Sequence, residues 1–277
     1  MIPFDFEYYR PDTVEDAVQI FKELDTQGKE PKYYSGGTEI ISMGRISNIY
    51  TGAVIDIKAI PECIENKFEN ENLVIGSAVT LTQIAEKNLF PLLSQTVKRV
   101  ADHTIQDKVT LGGNVCGTII YREAILPLML SDCNVVIEGG YCWKTVPLSE
   151  VFSEGLRLSR GELIVQFIIN ASFINLPYFH VKKVKKEKID YPLITATALN
   201  KDNNIRIAFS GLCDFPFRSG NMEKDLNNKE MAVEDRIKAA ISHIPGTVIE
   251  DILGCAEYRK FVLRDIIFDA MKAVGVS

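Results

Sequence analysis

Histidine is almost missing from this chain: His103, His180 and His243 are the only three among 277 residues, and they lie far apart. A histidine-built metal centre would therefore need coincidence in the fold. The six cysteines, Cys63, Cys116, Cys133, Cys142, Cys213 and Cys255, contain no Cys-x-x-Cys pair, which removes the local signature of a zinc or iron–sulfur site and leaves buried free thiols as the expectation. Basic residues are not in excess, with 31 Lys and Arg against 37 Asp and Glu, net charge −6 and pI near 5.3. That balance argues against a nucleic-acid surface. No stretch of about twenty apolar residues could span a bilayer, and Met1 to Glu7 has no basic segment leading into an apolar run, so a cytoplasmic protein with no membrane partner is expected. Gly-x-Gly-x-x-Gly, Walker A, Gly-x-Ser-x-Gly and His-Glu-x-x-His are all lacking, and no acid–base pair stands out. A protein whose cofactor carries the chemistry fits these absences.

What is present is a globular composition, 46% hydrophobic and 25% charged, with length for a large core and one or two domains. Two Gly-Gly turns organise it, Ser35-Gly36-Gly37-Thr38 and Thr110-Leu111-Gly112-Gly113-Asn114, each flanked by hydroxyl residues and apolar runs. Glycine reaches positive φ freely and lets backbone N–H groups approach an anion. A helix over Thr38 to Met43 would add its unpaired N–H groups, and two such turns suit a diphosphate. Gly-Gly pairs are also common in ordinary loops. Gly139-Gly140, between Val135–Glu138 and Tyr141–Lys144, reads as a hairpin turn without a ligand.

In chain order, a short strand near Phe4 to Tyr8 leads to a helix capped by Thr13, with Val14, Ala17, Val18, Phe21 and Leu24 on one face and Gly28 at its end. Strands follow at Lys32–Tyr34, Ala53–Ile57 and Leu73–Gly76. Thr80 to Gln83 makes a capping box. Helices are expected over Pro91–Ala101 and, apolar nearly all round, over Glu123–Asp132. Leu163–Ile169 reads as a buried strand. The basic run Lys182–Lys188 reads as a solvated strand or loop. A second unit holds strands at Ile194–Leu199 and Ile205–Phe209, helices near Met231–His243 and Ala256–Ala273, and a polar stretch, Asn221–Lys229, expected to be a mobile loop.

The glycine turns, in the forms Tyr34-Ser35-Gly36-Gly37-Thr38-Glu39-Ile40 and Thr110-Leu111-Gly112-Gly113-Asn114-Val115, resemble the paired FAD-diphosphate motifs of the molybdenum hydroxylase flavoproteins. These are the FAD subunits of xanthine, carbon monoxide and nicotinate dehydrogenases. FEYYRPDTVEDAV, VIDIKAI, LVIGSAVTLTQI and DILGCAEYRKFVLRDII look like further segments of that family, so the resemblance spans nearly the whole chain.

It implies an α+β fold: a two-part FAD-binding domain of the vanillyl-alcohol-oxidase/PCMH type over residues 1–174, then a smaller α+β domain over 175–277. Position by position, Tyr34, Ser35, Gly36, Gly37, Thr38, Glu39 and Ile40 would form one side of the diphosphate and ribose site, and Thr110, Gly113, Asn114 and Gly117 the other. Glu123 would meet the adenosine half of FAD, Ile164 would pack against the flavin, and Lys182 would lie near the isoalloxazine. Where the family has an Ala-rich segment with a proline, this chain reads Val115 to Arg122 without one. The cysteine loop that gives some relatives a 4Fe-4S cluster is missing. The implied role is an FAD subunit that takes electrons from a 2Fe-2S partner, with substrate oxidised on a molybdopterin partner and NAD⁺ as acceptor. The acid at Glu123 also suits helix N-terminal charge compensation, and a cofactor-free scaffold of the same fold is the reading from another class.

Overall fold

The computed structural model describes residues 1–139, 142–185 and 190–276. Among the described residues, twelve strands form three sheets. A parallel three-stranded sheet has order β1-β3-β2, from β1 (Glu7–Tyr9), β2 (Lys32–Tyr34) and β3 (Ala53–Asp56). An antiparallel five-stranded sheet has order β4-β5-β8-β6-β7, from β4 (Asn66–Glu69), β5 (Asn72–Gly76), β6 (Asn134–Glu138), β7 (Trp143–Pro147) and β8 (Leu163–Asn170). The third, also antiparallel, runs β12-β11-β10-β9, from β9 (Tyr178–Lys183), β10 (Ile194–Lys201), β11 (Asn204–Ser210) and β12 (Phe217–Arg218).

The apolar run of β8 has no alternation because both of its faces are covered. Ile164, Phe167 and Ile169 enter the main core, which also holds Leu92, Leu111, Ile125 and Leu128. Leu163 and Val165 enter a smaller core with Ile55 and the buried face of the helix Val14–Thr26. Thr13 caps that helix by accepting from Asp16 N at 3.1 Å, and Thr80 with Gln83 completes the capping box of Leu81–Lys87. A third core lies between the last sheet and the helices Gly220–Leu226, Val233–Ile241 and Ala256–Ala273.

Three expectations change. Asn221–Lys229 is largely helical rather than a mobile loop: Ser219 caps Gly220–Leu226, and Met222 and Leu226, four residues apart, reach the third core. Two apolar residues at that spacing suffice to seat a short helix, and Glu223 binds it to β11 by accepting from Ile207 N at 2.9 Å. The second Gly-Gly stretch is not a turn but the start of a helix, Leu111–Cys116, capped by Thr110; neither Gly112 nor Gly113 has positive φ. The cysteines divide: Cys63, Cys133 and Cys213 are buried, while Cys116, Cys142 and Cys255 are exposed. Gly140 of the expected Gly139-Gly140 turn and residues 186–188 of the basic run lie outside the described residues; the strands on either side of that turn, β6 and β7, are paired.

Candidate functional site

A cleft of about 640 Å3 opens where three separate stretches meet, residues 32–49, residues 100–123 and a third that contributes Lys182, Asp190 and Tyr191. From the first come Ser35, Gly36, Gly37, Thr38, Glu39 and Ile40; from the second Thr110, Gly113, Asn114, Gly117 and Glu123; from the third Lys182. Tyr34 and Ile164 do not line it. Tyr34 sits directly beneath the first loop, with its ring against Gly37. Ile164 is enclosed in the main core, because its position in β8 turns it away from the cleft.

The first wall is built as expected at its glycines. Gly37 is left-handed at φ 69° and begins the helix Thr38–Arg45, which has no side-chain cap, so the opening N–H groups of that helix face the cleft as anion donors. Gly36 serves a different need, close approach: a Cβ there would lie 1.9 Å from the Lys108 carbonyl oxygen. The same is true of Gly112, whose Cβ would meet Ser77 at 2.6 Å. The two walls are joined directly, Ser35 Oγ to Thr110 Oγ1 at 2.7 Å, while Thr110 Oγ1 accepts from Gly113 N at 3.1 Å. An added Cβ on Gly113 would stand 2.9 Å from Thr110 Oγ1 and 3.7 Å from Ser35 Oγ, between the walls.

Further along, Glu39 Oε1 accepts from both the N–H and the hydroxyl of Thr118, at 2.8 and 2.6 Å, and a Cβ on Gly117 would meet Glu39 Oε2 at 2.7 Å. Asn114 Oδ1 accepts from Ala124 N at 3.1 Å, which fixes the residue next to Glu123. Lys182 Nζ stands 2.9 Å from Glu123 Oε1, both side chains 4% exposed, and donates to the Arg99 carbonyl at 2.8 Å. Glu123 Oε1 nonetheless has no hydrogen-bond partner, since the ammonium is close but misaligned. Because the two side chains touch, Glu123 and Lys182 share one part of the cleft wall.

Among the cleft residues that went unrecognised in the sequence, four stand together. Tyr121 and Tyr191 stack at 4.7 Å with a 23° interplanar angle, joined there by Asp190 and Cys116. Cys116 is exposed as a residue, yet burial pushes its thiol up to about 12, so it is an unreactive part of the wall. A tyrosine pair seventy residues apart leaves no local sign, although Tyr191 follows the Asp190 that the basic run leads to.

An uncapped helix start, a glycine wall open between two loops and a buried acceptor lacking a donor suit a nucleotide diphosphate with N–H or O–H groups further along. These features, on an α+β frame, define a dinucleotide-binding protein of the FAD class. The family described as FAD binding domain in molybdopterin dehydrogenase matches residues 4–171, and the chain belongs to it; FAD is its cofactor. The carbon monoxide dehydrogenase medium chain of Hydrogenophaga pseudoflava is 25% identical over 287 residues, covering 99% of this chain and 98% of that one. The caffeine dehydrogenase subunit beta of a Pseudomonas species is 29% identical over 238 residues, covering 81% and 79%. Among solved structures, carbon monoxide dehydrogenase from Hydrogenophaga pseudoflava superposes with TM-score 0.88 at 24% identity, covering 99% of both chains. Quinoline 2-oxidoreductase from Pseudomonas putida 86 does so at 0.83 and 18%, covering 100% and 99%. The fold is shared with both solved structures. Among the described residues no helix is long and apolar enough to cross a membrane.

Proposed function

We propose that this FAD-binding oxidoreductase subunit works within a molybdenum hydroxylase of the xanthine dehydrogenase type, taking electrons from a 2Fe-2S partner while a molybdopterin partner oxidises the substrate. NAD⁺ is the proposed acceptor. Residues 1–174 would form the FAD-binding domain and 175–277 the smaller C-terminal domain. The carrying observation is the cleft itself, in which both glycine segments and their Ser35–Thr110 link face one space. Relatives that bear the words medium chain and subunit in their names support a partnered role. Caffeine is a purine, and the caffeine dehydrogenase relative supports a purine-class substrate for the complex. The carbon monoxide dehydrogenase relative supports the second reading, a flavoprotein subunit of a carbon monoxide, nicotinate or aldehyde dehydrogenase. Unpaired surface thiols at Cys142 and Cys255 suit the reducing cytoplasm.

When bound, FAD would supply the two-electron redox chemistry. The chain's own residues bind and orient it. Helix and loop N–H groups at Gly37 to Ile40 would hold the diphosphate, while the N–H groups of Leu111 to Asn114 are already bonded within the protein and shape the opposite wall. The Glu39–Thr118 bonds tie the two walls over the cleft. The stacked Tyr121 and Tyr191 supply an aromatic, water-excluding surface at the third stretch. Substrate chemistry belongs to another polypeptide, so the isolated chain should carry stoichiometric, acid-extractable FAD, show slow NADH-dependent dye reduction and leave xanthine untouched. Co-expression with iron–sulfur and molybdopterin subunits should yield a complex that reduces NAD⁺ with a purine. Purine turnover by the chain alone would refute the electron-transfer reading, and a colourless purified chain would favour the scaffold reading.

A further inference from the structure

The cleft wall sets two lysines, Lys32 and Lys182, against three carboxylates, Glu39, Glu123 and Asp190, and Lys182 is already paired with Glu123. That is a poor field for a diphosphate, which must bring negative charge into it. One further cation stands just behind the first loop without lining the cleft. Lys58 follows β3 in a single helical turn, Ile57–Ala59, and turns back so that its Nζ donates to the Ser35 carbonyl at 2.9 Å and to Asp56 Oδ2 at 2.8 Å. The same ammonium lies 4.5 Å from the centre of the Tyr34 ring, and that ring rests against Gly37, where a Cβ would come within 2.2 Å of it.

Lys58 is itself held in place. Asp56 is buried; its Oδ1 accepts from Lys58 N at 2.9 Å and its Oδ2 from the Tyr8 hydroxyl at 2.5 Å. Burial pulls the Asp56 carboxyl upward, but the Lys58 and Tyr8 donors outweigh it and hold the group below the usual carboxylate range. Asp56 therefore stays ionised and keeps the ammonium on the loop. An ion pair that merely decorates the surface would have no reason to bond the backbone of Ser35 and cover the ring under the left-handed glycine.

We propose that Lys58 is a positioning residue for the FAD diphosphate: from behind the first glycine loop it fixes the Ser35 carbonyl and the Tyr34 ring beneath Gly37, and adds a positive charge that the cleft wall lacks. The inference rests on FAD occupying this cleft. The test titrates FAD into the flavin-depleted full-length chain by flavin fluorescence, at low and at physiological salt, for wild type, Lys58→Met and Lys58→Arg. Lys58→Met keeps the apolar stem on Tyr34, and circular dichroism checks that it folds. The expected result is roughly tenfold weaker FAD binding with a shallower salt dependence, and arginine restoring affinity to within about threefold of wild type. A methionine variant that binds FAD like wild type, that weakens with an unchanged salt dependence, or that arginine cannot rescue would overturn the assignment. A misfolded Lys58→Met would be replaced by Lys58→Gln, which likewise removes the charge and should give the same weaker binding and shallower salt dependence; their absence there would equally overturn it. Wild type failing to bind FAD would instead remove the premise, the occupancy of the cleft, and the assignment with it.

Discussion

Replacing Lys182 by methionine tests how the C-terminal sheet is fastened to the cofactor wall. At 2.9 Å, with an effective dielectric constant of about 20, the Lys182–Glu123 attraction is about 6 kcal/mol before desolvation. Taking both groups from water cancels most of it, so the intact pair adds little net stability. Removing one partner is another matter, because Glu123 would remain buried without its counter-charge and with Oε1 still lacking a donor, at a cost of about 3–5 kcal/mol. For a chain of this size that is a fall in Tm of roughly 6–10 °C, at about 2 °C per kcal/mol. The double variant Lys182→Met/Glu123→Leu removes both charges and should recover at least about half of the loss. Calorimetry and urea titration of the FAD-free chain, on wild type, both single variants and the double, would measure the coupling. Single variants within about 1 kcal/mol of wild type, or a double equal to the sum of the singles, would refute this account of the pair.

Gly36→Ala should cost about 3 kcal/mol of stability and FAD binding together, because its Cβ meets the Lys108 backbone oxygen rather than a side chain; a thermal melt matching wild type would contradict the packing. Gly113→Val should leave the circular dichroism spectrum unchanged and abolish FAD binding, since its side chain enters the space between the walls; undiminished flavin content would remove that helix start from the site. His180, buried with Arg99 and Lys182 nearby, has its imidazole lowered from 6.5 to about 4, mainly by burial. Its folded pKa lies below the unfolded one, so the unfolded chain takes up the proton first and stability, complete above about pH 6.5, falls as pH drops toward 4. Between pH 7 and pH 5 the loss should be about 2 kcal/mol, and His180→Gln should lack that share in urea titrations at the two values; equal slopes for both proteins would sink the assignment.

The parts of the site legible in the sequence were those whose physics is local. The hydroxyl-flanked glycines, the Thr13 and Thr80 caps and the unalternating run of β8 each state their structure within a few residues. The C-terminal helix, Ala256–Ala273, has the expected bounds, although Phe261 and Phe268 stay exposed. What escaped depends on distant partners. Nothing near Asn221 says that Met222 and Leu226 will find the third core, and nothing near Lys182 distinguishes it from its solvated lysine neighbours until β9 pairs with β10 and turns it toward Glu123. Composition misled for Cys116, Cys142 and Cys255, since sparse cysteines are buried by habit but these three fall on the surface. Gly36 and Gly112 were found for the wrong reason: each is glycine because another backbone or side chain passes against it, and only Gly37 uses the left-handed conformation.

The order in which the cleft is written along the chain has a consequence during synthesis. Its walls need residues 32–49, then 100–123, and last Lys182 and Tyr191. A ribosome that has delivered both glycine segments has therefore made a diphosphate cradle with one side still open, and the buried Glu123 waits uncompensated for Lys182. On the proposed reading of the cleft, cofactor loading would wait for β9 and β10, so a nascent chain stalled before residue 182 should hold FAD loosely or not at all, whatever the state of its N-terminal sheets.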